Sequence, residues 1–126
     1  MNQAIRAQYK ITFQNKILDF GSNGKTVYKT VNSNNSALLE FLNGWNDPQE
    51  ISDLLIPDIN AALSGTSSLL ENGSETISID ITPDNVIFYM PNVGTDYPTV
   101  PTTDFNEIVL AWRDFLLQSP LNGTPG

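Results

Sequence analysis

The stretch TISIDITPDNVIFYM, Thr76 to Met90, constrains this chain more than any other. Ile77, Ile79 and Ile81 alternate with Ser78, Asp80 and Thr82, the period of a strand with one dry face and one wet face. In the second half Val86, Phe88 and Met90 point one way and Ile87 and Tyr89 the other, so both faces are expected to meet something, as in the middle of a sheet. Between the halves Pro83, Asp84 and Asn85 supply turn chemistry: Pro presets φ, while Asp and Asn bond their own backbone and tolerate the left-handed region. A β-hairpin is expected here, and the other elements have to pack on it.

Ahead of it, three short strands are expected. Tyr9, Ile11 and Phe13 alternate with Lys10, Thr12 and Gln14, and the run KILDF follows after Asn15. KTVYKTV, Lys25 to Val31, then follows the turn GSNG, whose Gly and Asn supply the positive φ of a tight hairpin. Lys10, Lys16, Lys25 and Lys29 fall on the wet side or the edges of this meander, where Lys serves a ligand or simply blocks unwanted pairing.

VNSNNS, Val31 to Ser36, is a connector ending in an N-cap, after which Leu38, Phe41, Leu42 and Trp45 share one helix face. DPQE opens a second helix, with Asp47 as N-cap, Pro48 at the first helical position and Glu50 completing a capping box. Pro57 lies inside its apolar stripe of Ile51, Leu54, Leu55, Ile59, Ala62 and Leu63, which predicts a kink or a restart.

Thr66 to Glu75 reads as a loop in which Leu69 and Leu70 either tuck under the core or stand exposed as contact residues. Pro91 to Thr103 carries three prolines, which forbid a central strand, and a loop of that length is more often functional than accidental. The last helix is expected from Asp104, with Glu107 closing a capping box, and buries Phe105, Ile108, Val109, Trp112, Phe115 and Leu116. The order β-β-β-α-α-β-β-α predicts an α+β fold, an antiparallel sheet of about five strands with three helices packed on one face. Residues 1–120 form the single domain, 121–126 a flexible tail, and Trp45 and Trp112 belong to the core.

A chain of 126 residues can bury roughly two-thirds of its unfolded surface without help from a metal or disulfide. It has no Cys, which excludes disulfides, thiol nucleophiles and zinc-thiolate sites, and no His, the commonest general base and transition-metal ligand. The N-terminus lacks the apolar run of a signal peptide and nothing approaches a membrane span, so a cytoplasmic location is expected.

The net charge of −8 is unevenly placed. Arg6, Lys10, Lys16, Lys25 and Lys29 stand against Asp19 alone in residues 1–29, giving +4. Residues 30–112 hold no Lys or Arg and twelve carboxylates, giving −12, and the remainder is neutral. Such a layout repels phosphates, which argues against nucleic acid for most of the surface, and attracts a basic partner; solubility alone also accounts for it.

No reactive constellation stands out. Asp80 and Asp84 are the nearest thing to paired carboxylates, yet one sits on the wet side of a strand and the other in a turn. DPQEISD departs from the calcium-loop pattern, and no G-x-S-x-G elbow is present. GSNGKT is too short for a phosphate-binding loop and reads as a hairpin turn. No catalytic residue, metal ligand or cofactor is therefore expected, and a binding surface remains. The candidate contacts are Glu71, Glu75, Asp84, Tyr89, Asp96 and Tyr97, since Tyr beside carboxylates anchors a contact while the acids pair with Lys or Arg.

From DLLIPDINAALSG through TISIDITPDNVIFY to VPTTDFNEIVLAWRDFLLQ, the last 75 residues or so resemble small immunity proteins of bacterial polymorphic toxin systems, including those of contact-dependent growth inhibition. In such proteins an isoleucine-rich strand pair is followed by a loop and a closing helix of the form D-F-x-E-I-(x)n-W-x-x-F-L. The resemblance implies a cytoplasmic inhibitor that binds the toxin domain of its own system, often a nuclease. It carries no site residues over, because such families diverge at the contact surface. The alternative is a non-enzymatic accessory or adaptor domain that binds a peptide or partner subunit, for instance by adding a strand to an open sheet edge. Homo-oligomerisation fits the same features, and an enzyme of unfamiliar type would require a deep pocket lined by carboxylates.

Overall fold

The computed structural model describes residues 2–19, 21–74, 76–91 and 94–118. The chain opens with a helix, α1 (Gln3–Tyr9), where a strand was expected from Tyr9. Asn2 caps it by accepting from the Ala4 N–H at 2.7 Å, and Ala, Arg and Gln are good helix formers. Lys10 ends it in the left-handed region, at φ 49°. Tyr9, Ile11 and Phe13 are all buried, as their alternation implied, but only Phe13 is in a strand.

Asn15 was expected to separate two strands. It lies instead in the middle of one, β1 (Thr12–Asp19), at 5% exposure, opposite Lys29 of β2 (Lys25–Asn32). These two antiparallel strands form a separate ribbon. In α2 (Ser36–Asn43) the cap is Asn35 rather than Ser36: its carboxamide oxygen accepts from the Leu38 N–H at 3.1 Å. The helix buries Ala37, Leu38, Phe41 and Leu42.

The third helix, α3, is composite. Pro48–Glu50 is α-helical behind an Asp47 cap, Ile51–Leu55 is a π segment, and Ile56–Leu63 returns to α geometry with Pro57 in its first turn. Pro57 has no N–H to give the preceding turn, so the ladder restarts there as the sequence predicts.

The remaining strands are β3 (Leu70–Gly73), β4 (Ser78–Ile81), β5 (Asn85–Tyr89) and β6 (Thr99–Pro101), antiparallel in that spatial order. The expected hairpin is β4–β5. Both flanking strands come from segments that read as loops. β6 fits the proline rule because it is a three-residue edge strand. The fold is therefore α+β with a two-stranded and a four-stranded sheet and four helices, not one five-stranded sheet with three. Leu70 packs against the core, whereas Leu69 stays 52% exposed.

The last helix, α4 (Thr102–Leu117), starts two residues before Asp104 and has no side-chain cap. The Asp104 carboxylate accepts instead from the Tyr9 hydroxyl at 2.8 Å, tying α4 to α1. Phe41, Phe88 and Phe105 meet at ring separations of 5.8–5.9 Å in the core between the four-stranded sheet and the helices. Phe13 roots the ribbon on Trp112 and Phe115, at 5.4 and 5.3 Å. Both tryptophans are buried and their indole N–H groups are used, Trp112 donating to the Trp45 carbonyl at 2.7 Å and Trp45 to the Gly73 carbonyl at 3.1 Å. The expected tail, 121–126, lies outside the described residues.

Candidate protein-binding face

Strand alternation gives the four-stranded sheet two unlike faces. Ile79, Ile81, Val86, Phe88 and Val100 point into the core and are buried. The outer face carries the residues between them. Register places Glu71 opposite Asp80, Asp80 opposite Ile87, Ser78 opposite Tyr89 and Ile87 opposite Thr99. Two carboxylates thus face each other across β3 and β4, an unfavourable pairing when no cation lies between them. Among the described residues the one ion pair is Arg113–Asp114, at 3.0 Å on α4.

Beside this pair the Tyr89 hydroxyl donates to the Asp80 carboxylate. The Tyr97 ring meets that of Tyr89 edge to face, with centroids 4.8 Å apart. The Tyr89 hydroxyl is held above the ordinary tyrosine range, first by this bond to Asp80, then by desolvation and by the negative charges around it. It therefore remains a neutral donor, a poor base and a poor nucleophile. What the face offers is acceptor oxygens beside aromatic rings, which suits a Lys or Arg side chain.

Of the six residues expected to form the site, Glu71, Tyr89 and Tyr97 come together here, and Asp96 is exposed next to Tyr97. Asp84 does not join them. It sits in the β4–β5 turn at the far end of β5, roughly 16 Å along the strand from Tyr89, and its carbonyl accepts from the Thr102 N–H. Glu75 lies outside the described residues. Asp80 and Ile87 share this face and were not among the six residues expected on it. The two-residue period already put Ile87 on the same side as Tyr89, whereas placing Asp80 there takes the β4–β5 register.

Other acids serve the fold. Asp47 caps α3, Asp53 accepts from the Gln49 amide, Asp58 from the Asn72 amide and Asp104 from Tyr9. Among the described residues no three acidic side chains are grouped so as to hold a metal ion, and no helix is long and apolar enough to cross a membrane. No family model matches the chain, and no curated protein or solved structure matches it significantly.

Proposed function

We propose that this chain is a non-enzymatic immunity protein that neutralises the toxin domain of its own system by laying the outer face of β3–β6 against a basic surface. The observation that carries the reading is the Glu71–Asp80 pair, which faces outward without a cation among the described residues and is flanked by Tyr89 and Tyr97. A basic partner would supply the missing charge, and the two rings would give it apolar area at low entropic cost. The texture of the last 75 residues supports a toxin as that partner, and a toxin domain that handles nucleic acid has the required basic surface.

The test is a pull-down from the native host to recover the toxin domain, followed by titration of the two proteins at rising salt. Affinity should fall with ionic strength, and charge removal in Glu71→Gln with Asp80→Asn should slow association by about tenfold or more at low salt. Asp80→Asn should also bring the Tyr89 titration back toward the ordinary tyrosine value, read by phenolate absorbance. Binding indifferent to both salt and these substitutions would remove the proposal.

A further inference from the structure

The ribbon carries a second surface, of opposite charge, that the acidic face does not use. Its root is packed, with Phe13 and Val31 buried, but cover is lost along its length: Ile17 is 42% exposed on one side and Tyr28 40% exposed on the other. Lys16 stands directly opposite Tyr28 on that second side. Among the described residues Lys16 has no ion-pair partner.

Alongside runs a groove of about 680 Å³ between the ribbon and α2. Gln14, Lys16, Thr30 and Asn32 form its floor with Phe13 and Val31 beneath, Leu39 and Asn43 form its wall, and among the described residues no carboxylate lines it. Its polar groups are one ammonium among amides and hydroxyls.

Asn43 shows what the ribbon edge accepts. Its carboxamide takes the Val31 N–H at 3.2 Å and donates to the Val31 carbonyl at 3.1 Å, just as a peptide group of a neighbouring strand would. Val31 therefore points its backbone away from β1. Two residues back, Lys29 points its own N–H and carbonyl the same way.

We infer that the ribbon is a docking arm for an extended, acidic segment of a protein partner, which lies along this groove from the Asn43 stop outward. The segment's carboxylates meet Lys16, its peptide groups pair with the β2 edge at Lys29 and its side chains pack on Tyr28. Charge selects this occupant, because among the described residues Lys16 is the one charged side chain that lines the groove and it has no ion-pair partner. This goes beyond the acidic-face reading and does not depend on it.

The test uses the full chain and a fluorescein-labelled peptide of alternating Glu and Val. Anisotropy should rise to saturation, and amide resonances of Gln14, Lys16, Tyr28 and Thr30 should shift. Lys16→Glu should weaken binding by about tenfold or more with the thermal midpoint unchanged, whereas Glu71→Gln with Asp80→Asn should leave it as it was. The proposal is overturned if the peptide produces no anisotropy change or if its Lys-for-Glu counterpart binds equally well. Amide shifts confined to β3–β6 overturn it too, as does light scattering in which Lys16→Glu abolishes self-association that the peptide cannot compete away, since that assigns the ribbon to a second copy.

Discussion

The two sheets are built from the same alternation and end in opposite situations. The four-stranded sheet has short strands, a fully covered inner face and an outer face that is acidic and aromatic. The ribbon has strands of eight residues, roughly 26 Å long, yet Phe13 and Val31 at its root are buried while Ile17 and Tyr28 farther along are exposed and Lys16 stands on the open side. A two-residue period identifies a strand without saying what will cover it, and strand length is no guide to burial. The contrast also extends to charge: residues 12–32 of the ribbon carry +2, from Lys16, Lys25 and Lys29 against Asp19, whereas residues 33–112 carry −12.

Trp112 joins the two regions, so its loss should have the largest effect. Trp112→Ala leaves a cavity beneath both the ribbon root and the core and strands the Trp45 carbonyl, at a cost of about 3–5 kcal/mol. Urea unfolding should show the whole domain affected. Phe13→Ala should cost about 3 kcal/mol, and hydrogen exchange should then quicken in β1 and β2 ahead of β3–β6. Uniform exchange across both sheets would make the ribbon part of one cooperative unit and break the distinction drawn here.

Tyr9→Phe comes next. It removes the donor to Asp104 and should cost about 1–2 kcal/mol at neutral pH. Burial first, and then the bond to the Asp104 carboxylate, raise the Tyr9 pKa above the ordinary value of 10.0. The contribution is thus fully present below that value and is lost as pH climbs beyond it. Urea midpoints at neutral and alkaline pH should show this loss in the parent chain and a flatter profile in the variant.

The smallest effect is expected at Lys29, whose ammonium lies 4.1 Å from the Phe115 ring centroid and has no hydrogen-bond partner. Desolvation lowers its pKa below that of the unfolded chain, so the cost stands at neutral pH and is relieved as pH rises toward the ordinary lysine value. Lys29→Met keeps a side chain on the ring and removes the buried charge. A gain of up to about 1 kcal/mol at neutral pH is expected, with the alkaline rise in stability abolished. A loss instead would mean that attraction between the cation and the ring outweighs desolvation.

The hairpin, the Asp47 cap, the break at Pro57 and the burial of Trp112 were all legible, because each depends on residues close in sequence. The errors share one cause. Asn15 looks like a turn residue, yet it pairs with Lys29 on the facing strand as part of one continuous strand. Likewise Leu70–Gly73 and Thr99–Pro101 have weak strand character of their own, and β4 and β5 recruit them as edges. Glu71, Tyr89 and Tyr97 were singled out from composition as candidate contacts, and what the structure adds is that they lie together. Their convergence on Asp80 is a matter of register, which no local pattern encodes.

Two of the four Asn-Gly pairs in the sequence have their carboxamides held by the fold, and at the first of them this carries a consequence for the chemical lifetime of the site. The Asn43 carboxamide is held by Val31 and Leu39, and that of Asn72 by Leu54, Asp58 and the Gly73 N–H. Deamidation at Asn43 requires the carboxamide carbon to leave Val31 and swing toward the Gly44 nitrogen, so there the fold acts as the preservative and each unfolding event opens the window for ageing.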